Sequence, residues 1–405
     1  MSAAAYRPIF VTTWCGPDTA GGAESYCARL AQELRRSGYP VEIWCTTSRS
    51  FTHPWFEPYY AEGAQDWGGV PVRHFPLSRY EEVSFFRERP QLLAGMPEFP
   101  REEMAHPREM PESDALFRAM AQATQACFFF FVYSHSLAFW GSHIAPERTF
   151  LFPTLHDEPY AYHSTHAYLM HRVHGHLCLS EPERELAVRL YGLPQERTAL
   201  VGAGVEPVAP GDARRFRERF GIPGPFLLYV GRRDAAKQVP DLIWSFCRFL
   251  QERPRQELRL VLAGPGQVDI PPGMGDRILD LGFLVEQDKQ DAYAAATLFC
   301  LPSRLESFSL VLMEAWLQGT AGLVNGEGAV AVYHCQRSNG GLYYSGYEEF
   351  AACLDYLLQR PALRRRMGAA GRAYVQEHCT WPATAERVVR AAAGAGRPLL
   401  RNVAE

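Results

Sequence analysis

Short apolar runs, each closed by glycine, proline or a polar pair and followed by a helical pattern, recur through both halves of the chain. Runs that are apolar on both faces and alternate with helices dictate a parallel sheet with helices on either side. In the first half they are Pro8 to Trp14, Val41 to Thr46, Phe128 to Tyr133, a segment ending in Pro153-Thr154-Leu155-His156-Asp157, Val173 to Ser180 and Thr198 to Gly202. Helices are predicted at about Ala23 to Gly38 and Ser113 to Ala126. In the second half the runs are Phe226 to Val230, Leu258 to Ala263, Ile278 to Gly282 and Leu298 to Leu301. The proline-bearing, charged stretch Pro207 to Pro225 reads as a linker around one short helix. The expected architecture is therefore α/β, with two Rossmann-like domains facing across a cleft, residues 1–206 and 207–380. The final amphipathic stretch, Pro361 to Ala393, is expected to return to the first domain, with residues 381–405 as the returning C-terminal helix. Residues 50–115 are rich in proline and irregular, and read as an elaborated loop region over one end of the first sheet.

Composition narrows the function. At 405 residues and 47% hydrophobic, the chain has material for two cores. A net charge of −4 with both signs mixed gives no basic stripe, so nucleic acid is not an expected partner. Neither a spanning apolar segment nor a signal-peptide pattern is present, so a cytoplasmic protein is expected, with peripheral contact to the inner membrane face as the one membrane association left open. The ten cysteines are scattered in apolar surroundings without a Cys-x-x-Cys pair, as for reduced core residues.

The chemistry concentrates where strands run into helices. Glu306 and Glu314 lie in Leu301-Pro-Ser-Arg-Leu-Glu-Ser-Phe-Ser-Leu-Val-Leu-Met-Glu-Ala-Trp. Ser307 or Ser309 can cap the helix that follows, which is expected to end at Gly319 and to turn the amides of Ser307, Phe308, Ser309 and Leu310 toward an anion. On a continuous helix eight steps would turn the two carboxylates roughly 80° apart. With Glu306 in the loop and Glu314 on the first turns, the pair can address an elongated ligand from its two ends. After the strand Phe226 to Val230 come Arg232 and Lys237, two cations able to grip a diphosphate, with a loop salt bridge to Asp234 as the alternative. Ala263-Gly264-Pro265-Gly266 and Gly21-Gly22 let backbone approach a ligand. His156-Asp157 is a polar pair at a strand's carboxyl end. Histidines 163, 166, 171, 174 and 176 crowd together but lack partners at ligand spacing, so no metal is assigned. Asp-x-Asp, the usual clamp for a metal-diphosphate complex, does not occur.

Taken in order, these segments resemble the retaining glycosyltransferases of family four, which have the GT-B fold. The likeness rests on Gly21-Gly-Ala-Glu24, Thr154-Leu-His-Asp157, Leu179-Ser-Glu181, Gly204-Val-Glu206, Gly231-Arg232 with Lys237, Leu262-Ala-Gly-x-Gly266, Leu281-Gly-Phe283 and the paired glutamates. Gln238, where the family has glycine, departs from it, as does the missing proline before Asn325, and residues 50–115 match nothing in it. The resemblance implies a metal-independent transferase with a nucleotide sugar as cosubstrate and no cofactor. Its acceptor would be a glycan, a lipid-linked or a small molecule. It places Glu306 and His156 beside the transferred sugar and Asp157 nearer the acceptor. Arg232, Lys237, Gly21, Gly22 and the amides of Ser307 to Leu310 would hold the diphosphate, and Glu314 the ribose. Whether Glu306 attacks the sugar or only balances its charge stays open. A nucleotide-sugar epimerase on the same fold and a non-catalytic nucleotide-sugar binder are the alternatives.

Overall fold

The computed structural model describes residues 5–19, 21–51, 53–78, 90 and 94–402. The chain divides into two compact units, Met1–Gly204 with Trp381–Glu405, and Val205–Thr380.

In the first unit the strands are β1 Arg7–Val11, β2 Glu42–Thr46, β3 Gly63–Trp67, β4 Val70–Phe75, β5 Ala126–Phe131, β6 Thr149–Phe152, β7 Gly175–Cys178 and β8 Thr198–Leu200. They form one sheet in the order β3-β4-β2-β1-β5-β6-β7-β8. All pairs among them are parallel except β3 with β4. The phenylalanine run is the central strand β5, buried at every position. Its side chains join those of the neighbouring strand: Phe129 stacks on Phe150 at 5.2 Å and Phe131 on Phe152 at 4.5 Å. The chain's last segment lies beside β1, with the Tyr6 amide donating to Pro398 and the Leu400 amide to Tyr6. The helix Trp381–Gly394 packs on Gly22–Arg36 in the same unit, where Tyr26 and Trp381 meet at 5.5 Å.

Within residues 50–115, of which 52, 79–89 and 91–93 lie outside the described residues, the chain is more regular than the composition suggests. β3 and β4 make a two-residue hairpin closed by Gly68 and Gly69, both at positive φ, and Arg101–Glu109 is a helix. β3 was hidden because it is exposed and polar and shows no alternation. The Gly-Gly pair, a type I′ turn signal, was its one local mark.

In the second unit the strands are β9 Phe226–Val230, β10 Arg259–Ala263, β11 Ile278–Asp280, β12 Leu298–Leu301, β13 Gly322–Asn325 and β14 Gly341–Tyr344. They pair in parallel, in the order β11-β10-β9-β12-β13-β14. The chain proceeds outward from β9 on one side and from β12 on the other. The connections that leave these two strands therefore diverge, and their carboxyl ends form a crevice of the kind where α/β sheets take ligands. In the first unit β1 and β5 are the corresponding pair.

Candidate active site

The crevice at β9 and β12 gathers most of the predicted donor-binding residues. Lys237 ends a short turn, Ala235–Lys237, that Asp234 caps by accepting the Lys237 amide at 3.0 Å. Its ammonium donates to Glu306 Oε1 at 2.7 Å and to the Leu305 carbonyl at 3.3 Å. Glu306 lies in the loop after β12, and both side chains of this pair are largely buried. A close, partly desolvated pair of this kind is fixed in place, unlike a surface ion pair.

Arg232 differs from expectation. It faces solvent and contacts Asp234 at 3.4 Å, so the loop salt bridge is what forms in this structure. The neighbouring Arg233 turns inward, bonding the Asp280 carboxylate and the Gly266 carbonyl, and ties the loops after β9, β10 and β11 together. The Tyr229 hydroxyl adds a bond to the Arg232 carbonyl at 2.5 Å. Gly264, at φ 126°, lies where a Cβ would come within 2.0 Å of the Gly231 carbonyl oxygen, so only glycine lets these two loops approach.

The helix after Glu306 runs Leu310–Leu317. Ser309 holds the N-cap position, yet it sits in the left-handed region at φ 64° and makes no capping bond. The expected cap by Ser309 is thus not formed: an N-cap side chain reaches the first-turn amides from an extended backbone, and the left-handed turn aims it elsewhere. The Ser309 hydroxyl is instead buried without a partner. Ser309 therefore gives the first-turn amides no bond from its own side chain, and the amides of Ser307 and Phe308 belong to the loop. The helix stops at Leu317, with Gly319 at φ 79° just beyond.

Glu314 is the fifth residue of that helix. Lys289 donates to its Oε1 at 3.1 Å and the Tyr293 hydroxyl to its Oε2 at 2.9 Å. Burial works against the Lys289 charge, but the Glu314 and Glu286 carboxylates outweigh it and raise its pKa above the ordinary lysine value. Neither Lys289 nor Tyr293 was singled out from sequence. Their four-residue spacing in Glu286–Ala295 puts them on one helix face, which is the signal that was available.

In the first unit, His156 and Asp157 follow β6, at the same sheet edge as Gly21 and Gly22 after β1. His156 Nδ1 stands 3.6 Å from Glu158. Asp157 accepts from the Tyr162 hydroxyl at 2.6 Å and from Arg189 at 3.2 Å, and the Tyr162 bond leads in holding its pKa below the usual range. A side chain at Gly21 would strike Glu24, whose carboxylate folds back over it. His166, His174 and His176 each bond a backbone carbonyl, of Tyr160, Ala395 and Arg197 respectively. Among the described residues no group of three His, Cys, Asp or Glu is placed to hold a metal ion, and no helix is long and apolar enough to cross a membrane. None of the ten cysteines forms a disulfide.

Glu183, also passed over in the sequence, anchors the His156 loop. Its two oxygens accept the amides of Leu155 at 2.9 Å and Leu179 at 2.6 Å, just after Thr154 at φ 51°. Burial pushes both Glu183 and Glu24 up to about 7, the amide bonds opposing it only in part. The folded chain thus keeps protons that the unfolded chain has lost above about pH 4.5. Stability from these two acids is present below that value, falls as pH rises to 7 and then levels off. Each contributes roughly 3 kcal/mol to that fall. Buried histidines such as His135 and His334, held well below the usual imidazole range, add stability over the same interval, so the test is the difference from wild type. In urea unfolding, Glu24→Gln is expected to gain stability relative to wild type between pH 5 and pH 7.5, and an unchanged difference would contradict this assignment.

The family described as "Glycosyl transferase 4-like domain" matches residues 21–204, and "Glycosyl transferases group 1" matches residues 212–374. A relative named D-inositol 3-phosphate glycosyltransferase, from Frankia alni, is 32% identical over 230 residues, 51% of this chain and 56% of its own length. The chain spans about half the length of the curated relatives it matches. Among solved structures, a sucrose-phosphate synthase from Thermosynechococcus elongatus superimposes with a TM-score of 0.70 at 17% identity, over 95% of this chain and 98% of the other. The Anabaena protein HepE in complex with UDP gives 0.68 at 14%, over 96% and 99%. Residues 21–204 thus match a glycosyltransferase 4-like domain and residues 212–374 a glycosyltransferase group 1 domain, and the fold is GT-B.

Proposed function

We propose that the protein is a metal-independent, retaining glycosyltransferase that moves a sugar from a nucleoside-diphosphate sugar to a saccharide, lipid-linked or small-molecule acceptor. The observation that carries this reading is the Lys237–Glu306 pair, fixed at 2.7 Å in the β9/β12 crevice ahead of the helix Leu310–Leu317. As the bond from the anomeric carbon to the diphosphate stretches, negative charge grows on the leaving phosphate and positive charge on the sugar ring. A cation and an anion already oriented stabilise that separation without reorganising.

In this reading Lys237 meets the leaving diphosphate, joined by Arg232 once it leaves Asp234, and the first-turn amides of Leu310–Leu317 take a phosphate oxygen. Glu306, paired with Lys237, balances the ring's charge and is a poor candidate for direct attack. Glu314 receives the ribose hydroxyls. In the same reading His156 and Asp157 of the first unit are assigned to the sugar and the acceptor, and Gly21 and Gly22 to backbone contact with the phosphates. The UDP complex of the structurally similar Anabaena protein supports a nucleotide donor, and the name of the Frankia relative supports sugar transfer.

The test is acceptor-dependent release of nucleoside diphosphate from UDP- and GDP-sugars in EDTA, with proton NMR of the product linkage. Activity that survives chelation and a product keeping the donor's anomeric configuration are expected. Loss in EDTA with rescue by magnesium or manganese would overturn metal independence, and an inverted anomer would overturn retention.

A further inference from the structure

Residues 49–60 carry five aromatic rings directly after β2. We propose that this loop is a stacking platform for a neutral saccharide, which on the glycosyltransferase reading above is the acceptor. Three observations on the first unit converge on it.

Its place is that unit's own crevice. Trp14 follows β1 and His135 follows β5, the two strands at which the order reverses, and their rings meet at 5.2 Å. Phe51 and Trp55 close on the same indole, at 5.9 Å and 6.0 Å. The loop thus reaches the position where a sheet of this topology takes a ligand.

The platform is also rigid. The buried Trp14 ring donates to the Ser48 hydroxyl at 2.7 Å. Thr19 donates to the Arg49 carbonyl at 2.8 Å, the Tyr59 hydroxyl to Asp18 at 3.0 Å, and the Asp18 amide to the Tyr60 hydroxyl at 3.1 Å. Pro54 and Pro58 restrict the backbone between them. Yet Phe51, Phe56 and Tyr59 remain about half exposed, at 49%, 51% and 50%. Rings held in place while open to solvent lose little conformational freedom when something stacks on them.

Charge then selects the occupant. Asp18 lies against the rings, its carboxylate accepting the Tyr59 hydroxyl at 3.0 Å, and Glu57 follows Phe56 in the loop. The facing cation is Arg49, whose guanidinium lies 4.7 Å over the Tyr59 ring and bonds His53 at 2.7 Å. Phosphates and anionic lipid need clusters of basic residues, whereas Arg49 is engaged with Tyr59 and His53 and Asp18 lies beside it. A pyranose fits: its C–H face is apolar and stacks on aromatic rings, while its hydroxyl rim donates to carboxylates such as Asp18.

Binding to an array of neutral, acidic and phosphorylated oligosaccharides tests this, with wild type, Phe51→Ala and the more solvent-facing Phe56→Ser compared. Thermal unfolding is run on each variant to confirm its fold. Neutral glycans are expected to bind wild type and to bind each variant about tenfold more weakly, the change expected for losing one stacking face. Binding confined to acidic or phosphorylated glycans, undiminished binding by folded variants, or no glycan binding would overturn the proposal. UDP and GDP titrated into the same preparations keep the two readings apart. Nucleotide binding without glycan binding sinks the platform alone, and glycan binding without nucleotide binding sinks the transferase reading.

Discussion

Replacing Lys237 by alanine is expected to slow sugar transfer a hundred- to thousandfold, the loss seen when one preorganised donor to a growing oxyanion is removed, about 3 kcal/mol. The geometry adds a second cost. Lys237 is the ammonium that neutralises Glu306 at 2.7 Å, so its removal leaves a largely buried carboxylate uncompensated in the crevice. Glu306→Gln separates the two contributions. The amide keeps a carbonyl oxygen for Lys237 but carries no charge, so the chemical rate should fall strongly while nucleoside diphosphate still binds. Single-turnover rates alongside equilibrium binding provide the measurement. A Glu306→Gln protein that turns over normally would show that the charge of this pair is not used in the reaction. Arg232→Ala is expected to cost less than Lys237→Ala, because Arg232 starts out exposed and paired with Asp234.

Glu314→Ala is expected to weaken nucleoside diphosphate binding by about one to two decades, since a hydrogen bond to a charged group is worth roughly 1.5–3 kcal/mol. The Lys289 and Tyr293 contacts refine this expectation. They fix the carboxylate's orientation, and its loss also strands the buried Tyr293 hydroxyl, so some destabilisation should accompany the loss of affinity. Lys289→Met keeps Glu314 but loosens it, and should weaken binding by a smaller factor. If Lys289→Met were as damaging as Glu314→Ala, the lysine would itself be a ligand contact.

The parts of this site that were legible in the sequence are those written locally. Strand, turn and helix followed from apolar runs and glycine, and the loop position of Glu306 followed from Pro302 and the start of the next helix. The paired cations after β9 were visible as residues, but their directions were not. Adjacent arginines point opposite ways, and which one is drawn inward depends on Asp280 and Gly266, distant in sequence. The Ser309 cap failed for a similar reason: the local pattern favours it, but the loop's path forces a left-handed backbone that only the assembled sheet dictates. Glu314's partners come from another helix, Glu286–Ala295, and Glu183's amides from two separate loops. In residues 50–115 the hairpin strand carried polar, exposed residues, so no burial pattern announced it.

The central claim is that the second unit binds a nucleoside diphosphate through its own side chains and amides, without a metal ion. Isothermal calorimetry of UDP and GDP in the presence of EDTA addresses it most directly, because it reports binding independently of sugar and acceptor. The account predicts that one of the two nucleotides binds wild type under chelation and binds Glu314→Ala about ten- to a hundredfold more weakly. Absence of binding by either nucleotide, or affinity that appears only when a divalent metal is restored, would contradict it.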